Sequence, residues 1–382
     1  MATTFRALDL FAGCGGLSYG LALAGIDVVA ANEFWSDAAA THRLNHKGTA
    51  MIEGDVTSAE VKSQIISAAG RIDLLAGGPP CQAYSLSGRR DPLDPRGKLF
   101  NDYVDLVSAI KPRFVLMENV KGLLTMKHDR IDLSSSQLEH QSRIYKEIES
   151  LPSKYTRGHA DKTTLAEGRQ LRSKLMRQLQ EFQEPVLGSI VKDLEDLGYT
   201  CTWKVLNSAD YGVPQRRERV ILLGARRGER IPPYPKATHQ EVLQEGLFPT
   251  TLHPWVTTFD AIDDLATAPE NASAHHIYTE HSAEFLEKLR ATPVGASVFT
   301  GYQDAYYRNP PDVPARTVKE NHNGVFVHYS EQRVMTPREL ARLQSFPDTF
   351  IFHGTKSSVL KQIGNAVPPL LGKAIGEALL SV

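Results

Sequence analysis

Apolar residues in the first 120 positions come in short runs, each closing on glycine or an acidic residue and each separated from the next by a longer stretch of mixed polarity. FRALDLF (5–11), DVVAANE (27–33), RIDLLAGG (71–78) and RFVLMENV (113–120) predict buried strands, while LSYGLALAGI (17–26) and SDAAATHRLNH (36–46) predict helices between them. Strands alternating with helices build a doubly wound, mostly parallel α/β sheet, whose ligand crevice lies at the carboxyl ends of the strands. The rhythm returns in VLGSIVKDLEDLGY (186–199), TCTWKVLN (200–207) and RVILLGA (219–225).

Two stretches break this rhythm. From 126 to 185 the chain is charged and rich in Ser and Gln, and RQLRSKLMRQLQEF predicts a helical insertion with much of its surface in water. After Gly224 the composition turns to proline, histidine and aromatic residues, as suits a smaller, loop-rich domain. TPRELARLQSF (336–346) and PPLLGKAIGEALL (368–380) then predict helices with proline near their starts. The expected organisation is a catalytic, cofactor-binding domain over 1–224 carrying the 126–185 insertion, a recognition domain over 225–330, and a 331–382 segment returning to the first domain.

With 382 residues, 41% hydrophobic and 23% charged, the chain has ordinary globular composition. A formal net charge of −1 offers no whole-molecule argument for a polyanionic partner, so a nucleic-acid surface would need local clusters such as GRR (88–90), QRRER (215–219) or ARRGER (225–230). Cys14, Cys81 and Cys201 show neither a disulfide framework nor zinc-ligand spacing, so no metal is expected. The start of the chain lacks signal-peptide character and no run is long enough to span a bilayer, which points to a cytoplasmic protein without a membrane partner.

Candidate chemistry sits where the strands end. DLFAGCGGLSYG (9–20) is a strand, a glycine turn and a helix start, although Ser18 breaks the G-x-G-x-x-G fingerprint. Glu33 stands twenty residues beyond Gly13, where a carboxylate can accept from ribose hydroxyls, and Asp55 follows the third strand, where it can accept from an adenine amine. The glycines alone are also compatible with a plain turn. GGPPCQAYS presents Cys81 on a loop that its prolines stiffen. In isolation that thiol reads either as a small buried hydrophobe or as a nucleophile. Glu118, at the end of the next core strand, favours the second reading, because in a parallel sheet it shares the crevice with Cys81.

The ordered set DLFAGCGG, GGPPCQAYS, ENV, QRRERVILLG and QIGNAVPP resembles the C5-cytosine DNA methyltransferase family over nearly the whole chain, apart from the insertion and the 225–330 region. The resemblance implies a class I methyltransferase-like Rossmann fold using S-adenosylmethionine. It implies that Asp9, Phe11, Ala12, Gly13, Gly15 and Gly16 form the cofactor loop, with Glu33, Asp55, Val56, Pro80, Asn365 and Ala366 completing the pocket. Cys81 would attack C6 of a flipped-out cytosine while Glu118 holds N3 and the exocyclic amine; Arg219 would meet the cytosine O2, and Arg217 would order the catalytic loop and a phosphate. Gln215 belongs to the same strand-entry motif.

For DNA, the resemblance points to Ser85, Ser87, Arg89 and Arg90, with Arg96 and Lys98 adding charge, and to Arg226 and Arg227. Tyr302, Tyr306, Tyr307, Arg308 and Arg316 are looser candidates. The implied partners are double-stranded DNA and a cognate restriction endonuclease, in a bacterial restriction-modification or other defence setting, for a monomeric enzyme. A transfer RNA methyltransferase of the same family is the alternative, although its Cys-Phe-Thr tripeptide is absent here.

Overall fold

The computed structural model describes residues 4–80, 99–130, 132–151, 162–241, 251–299, 306–320 and 325–382. In chain order these form β1 (Arg6–Leu10), α1 (Gly16–Leu23), β2 (Asp27–Glu33), α2 (Ser36–Asn45), β3 (Ala50–Glu53), α3 (Ala59–Ala69), β4 (Leu74–Gly77), α4 (Leu99–Ile110) and β5 (Phe114–Val120). Next come β6 (Lys127–Asp129), α5 (Ser135–Ser150), α6 (Lys162–Leu179), β7 (Gln183–Pro185), α7 (Val186–Asp196), β8 (Tyr199–Asn207) and β9 (Glu218–Arg226). Short β10 (His239–Gln240) and β11 (His253–Pro254) precede the helices α8 (Thr258–Ile262), α9 (Ala283–Ala291), α10 (Pro337–Leu343), α11 (Lys356–Asn365) and α12 (Pro369–Leu379).

The described residues divide into two compact units, one comprising 4–80, 99–121 and 194–382, the other 122–193. The first is built on a seven-stranded sheet in the order β3-β2-β1-β4-β5-β9-β8. β1 to β5 are mutually parallel; β9 pairs antiparallel with both β5 and β8, so it alone runs against the rest. The expected doubly wound, mostly parallel sheet is therefore present, with one reversed strand that the pattern of apolar runs could not reveal. Strand order reverses between β1 and β4, and that is the point at which open α/β sheets open a ligand crevice.

Burial explains the arrangement. β4 and most of β5 are enclosed on both faces, as expected for continuous apolar runs at the centre of such a sheet. The core joins Ala7, Leu74, Leu116, Ile221 and Leu223 of the sheet to Leu17 and Leu21 of α1 and Leu371, Ile375 and Leu379 of α12. α1 and α12 meet through glycines: a Cβ on Gly20 would stand 2.3 Å from the Pro369 carbonyl and 2.7 Å from the Gly372 Cα. This close crossing returns the C-terminal segment to the first strand-helix unit. Residues of 225–330 lie in the same compact unit as the sheet.

The second unit has a small core of its own. Ile144 and Ile148 of α5 pack with Leu175 and Leu179 of α6 and with Phe182. β6 and β7 form an antiparallel ladder beside it, and the Tyr145 hydroxyl donates to both Asp129 carboxylate oxygens at 2.8 and 2.9 Å. Ser134 and Gln137 close a reciprocal capping box at the start of α5. Among the described residues, no helix is long and apolar enough to cross a membrane.

Candidate active site

The loop after β1 is shaped by backbone geometry that most side chains avoid. Phe11 and Gly13 both have φ of 56°, and Gly15 has 95°. A non-glycine residue in the left-handed region is costly and concentrates at functional sites. The turn is held from β2: the Ala12 N–H donates to the Asn32 carbonyl (3.0 Å), and the Gly13 N–H donates to Glu33 Oε2 (2.8 Å). Glu33 Oε1 accepts from the Trp35 N–H at 2.8 Å. Burial raises the Glu33 carboxyl above its ordinary value, while these backbone N–H donors pull it down.

The glycines of this loop divide by surroundings. A Cβ on Gly13 would meet open space, whereas on Gly15 it would strike His46 Nε2 at 2.4 Å and on Gly16 the Val367 carbonyl at 2.3 Å. Gly13 therefore fronts the crevice, while Gly15 and Gly16 admit close packing behind it. Asp9 also points inward: it is 1% exposed, accepts from the Ser18 hydroxyl at 2.6 Å, and burial pushes its carboxyl up to about 7. His42 Nε2 lies 3.1 Å from the same hydroxyl. The residue that breaks the glycine fingerprint, Ser18, thus joins Asp9 to α2.

At the neighbouring strand ends, Asp55 is exposed with Oδ1 accepting from the Thr57 N–H (2.9 Å), and Val56 is buried beside it. Asn32 Nδ2 donates to the Ile52 and Gly54 carbonyls, so β2 orders the β1 and β3 loops together. The exposed aromatic Phe34, at 72%, follows Glu33 directly. Neither Asn32 nor Phe34 was singled out in the sequence; an aromatic set next to the expected ribose carboxylate was the signal available for the second.

Beyond β4, Pro79 and Pro80 continue from Gly78. Asn119 of the ENV motif is 5% exposed and donates from Nδ2 to the Pro79 carbonyl at 2.9 Å, pinning the loop to β5. Glu118 lies beside it, its Oε2 3.3 Å from where a Cβ on Gly78 would stand. Because β9 runs antiparallel, its start lies at the same edge: Arg219 pairs opposite Val120, and Arg219 Nε meets Glu118 Oε1 at 2.8 Å. Both side chains are nearly buried, so the pair is shielded from water and rigidly oriented.

Arg217 has a different fate. It is 2% exposed and donates to the carbonyls of Val318 (2.9 Å), Gly364 (2.9 Å) and Ala366 (3.1 Å). Burial drives its guanidinium well below the ordinary arginine value. Buried Gln215 works alongside, donating to the Leu343 carbonyl and accepting from the Val318 N–H. In the described residues Arg217 is thus a clip on the GNAV segment, holding Ala366 buried while Asn365 remains exposed.

Asp9, Phe11, Ala12, Gly13, Gly15, Gly16, Glu33, Asp55, Val56, Pro80, Glu118 and Arg219 are all carried by the carboxyl-end edge of the sheet. Arg226 and Arg227 are not. The Arg226 N–H donates to the Arg113 carbonyl and its Nη1 to the Lys111 carbonyl, at the far end of β9. Arg308, a looser candidate for DNA contact, is 3% exposed and donates to the carbonyls of Leu289 and His328. Tyr307 is buried with the Arg316 guanidinium 3.6 Å from its ring centroid. Cys81, Ser85, Ser87, Arg89, Arg90, Arg96, Lys98 and Tyr302 lie outside the described residues. The other two thiols, Cys14 and Cys201, are both pushed up to about 12 by burial, which leaves them protonated at neutral pH.

The Rossmann-like α/β sheet carries an acidic side chain at the end of β2, another after β3 and an arginine-held glutamate near the end of β5, the layout of a nucleotide-cofactor enzyme's crevice. The family model for C-5 cytosine-specific DNA methylase matches residues 5–146 and 176–381, and the chain belongs to that family of DNA cytosine-5 methyltransferases. Type II methyltransferase M1.HphI of Haemophilus parahaemolyticus is 32% identical over 391 residues, covering 98% of this chain and 86% of that protein. Type II methyltransferase M.DdeI of Desulfomicrobium norvegicum is 30% identical over 421 residues, covering 97% and 88%. Among solved structures, a prophage-encoded protein of E. coli aligns with a TM-score of 0.66 at 23% identity over 99% of both chains. The methyltransferase EhMeth of Entamoeba histolytica aligns at 0.57 and 16%, covering 99% of this chain and 98% of that one. At those identities the two structures speak for the fold alone.

Proposed function

We propose that this chain methylates C5 of a flipped-out cytosine within one short duplex DNA sequence, with Cys81 as nucleophile and Glu118 as the group that holds the base. The observation that carries this reading is the Arg219–Glu118 pair at 2.8 Å, beside the glycine that leads into the Pro-Pro-Cys loop. Carbon 5 of cytosine is a poor nucleophile. Addition of the Cys81 thiolate to C6, with Glu118 on N3 and the exocyclic amine, moves electron density onto C5 and splits one hard substitution into easier steps. Once C5 is substituted, a base removes its proton and the thiolate leaves, restoring the ring. The base must leave the stack for this, as is general for enzymes acting on base atoms.

The groups lining the crevice fit S-adenosylmethionine. Gly13 leaves open space where a side chain would stand, Glu33 retains acceptor capacity for ribose hydroxyls, exposed Asp55 can accept from the adenine amine, and exposed Phe34 and half-buried Phe11 offer aromatic surface. When bound, this cofactor supplies the electrophilic methyl group. Asn365 and Ala366 would close the pocket from the segment that Arg217 clips.

The curated relatives are named Type II methyltransferases, which supports a restriction-modification role and a cognate endonuclease as partner. The test is bisulfite sequencing of plasmid DNA from cells expressing the wild type or Cys81→Ala. Conversion-resistant cytosines at one short motif, in the wild type only, are expected. Protection that persists in the variant would remove Cys81 as nucleophile, and full conversion in both would remove DNA as the substrate.

A further inference from the structure

We infer that the solvent face of α6, in the 122–193 unit, is a docking surface for the phosphate backbone of duplex DNA, separate from recognition of the target base. The inference rests on the DNA reading above, and names a contact that reading does not require.

α6 carries Arg169, Arg172, Lys174 and Arg177, all exposed; Arg177 stands opposite the core that Leu175 and Leu179 build with α5, Arg169 and Lys174 flank it, and Arg172 borders the core side three residues before Leu175. Arg169, Ser173 and Arg177 stand four residues apart and therefore form one ridge about 12 Å long, with Lys174 and Arg172 to either side. Across Lys162–Leu179 the only acidic residue is Glu167. None of the four cations has an ion-pair or hydrogen-bond partner among the described residues.

A merely solvated face mixes its signs, and α5 of the same unit does so, with Glu139, Arg143, Lys146, Glu147 and Glu149. Several arginines of the first unit are engaged within the fold, Arg113 with Glu229, Arg333 with Glu339 and Arg342 with Asp264 and Asp348, whereas the cations of α6 are gathered on one helix. In a chain of formal net charge −1, a basic ridge with no partner among the described residues suits a local contact with a polyanion. Exposed guanidinium and ammonium groups at this spacing suit a polyanion, and a DNA enzyme meets one in every turnover. Phosphate contacts position a protein on the duplex without reading sequence, which matches a ridge of charges that includes no apolar reader.

The test is fluorescence anisotropy of the full-length protein with a labelled duplex of arbitrary sequence, titrated between about 50 and 200 mM salt. Changing Arg169, Arg172, Lys174 and Arg177 together to Gln should raise Kd about tenfold near 0.1 M salt and flatten the salt slope by about 2 to 4 units. Methyl transfer at saturating DNA should be unchanged. Arg169→Lys, Arg172→Lys and Arg177→Lys combined should retain the wild-type slope. Should the fourfold variant melt early, Arg169→Gln and Arg177→Gln singly serve instead, each flattening the slope by about 1. Unchanged Kd and slope in a folded variant of an enzyme that still methylates DNA would overturn this inference alone. A wild type that binds no duplex DNA would overturn it together with the DNA reading.

Discussion

Arg217 and Arg177 are the same side chain in opposite circumstances. At the crevice edge, Arg217 is buried and its two terminal nitrogens donate to three backbone carbonyls. On α6, Arg177 is exposed and has no described partner. The first region turns polar groups inward: Asp9 to Ser18, Asn32 to two loops, Asn119 to Pro79, Arg219 to Glu118. The second keeps a small apolar core and leaves the cations of α6 exposed. Enzyme chemistry needs groups fixed before the substrate arrives, whereas contact with a phosphate backbone needs charge that is free to adjust.

The largest expected difference tests that contrast directly. Arg217→Met should lower unfolding stability by about 3 to 5 kcal/mol, because it leaves three buried carbonyls without donors, whereas Arg177→Met should stay within about 0.5 kcal/mol of wild type. Urea melts of both variants would measure this, and equal losses would erase the distinction between the regions.

Acid sensitivity should also belong to the first unit. Burial holds His42 at about 3, His46 at about 4 and His328 at about 4, all below the ordinary histidine value. The unfolded chain binds those protons first, so their contribution is full above the ordinary value and is lost as pH falls through the window toward 4. Asp9, pushed up to about 7, acts with opposite sign, favouring the fold at low pH and losing that contribution as pH rises toward neutrality; Glu33 is raised in the same direction. The three histidines favour a loss of stability between pH 7 and 4.5 and the two carboxyls oppose it, so the histidine part is read as the difference between the wild type and a variant lacking one of them. Denaturant melts at the two pH values, with His42→Gln as a variant that should lose less, check it. Equal pH dependence in the wild type and His42→Gln would contradict the buried-histidine account.

The smallest effect compares two glycines. Gly16→Ala places a Cβ 2.3 Å from the Val367 carbonyl and should cost about 1 to 3 kcal/mol, while at Gly188 of α7 the nearest atom would be the Pro185 Cβ at 3.8 Å. Gly188→Ala should be neutral or stabilising by up to about 1 kcal/mol through helix propensity. Thermal melts that rank the two the other way would show that crowding behind the cofactor loop does not limit stability.

Much of this architecture was readable along the chain. β2 coincides with DVVAANE, and α12 fills all but the ends of PPLLGKAIGEALL, because strong periodicity and proline or glycine punctuation act locally. Helices α3, α4, α9 and α11 were not picked out. α9 and α11 lie in mixed polar sequence, where capping by Ser282 and Thr355 and tertiary packing decide the helix. Of the candidate site, the placement of Glu33, Asp55 and Glu118 at the crevice edge was legible because each ends or follows a strand, and strand ends line a doubly wound crevice.

Arginine roles were not legible in the same way. QRRER carries cations at 216, 217 and 219, and in an extended chain the two-residue spacing says only that Arg217 and Arg219 share a face. The reversal of β9 brings its first residues, and not Arg226 and Arg227, to the edge where Glu118 waits. Strand direction depends on partners distant in sequence, as does the burial that turned Arg217, Arg308 and Asp9 inward. The chain by itself determined the order of strands and turns, the motif set and the class of chemistry, since these are written in local patterns of residue type. Only the tertiary structure decided which cations are engaged within the fold and which face water, because charge acquires a role from the groups that long-range packing places beside it.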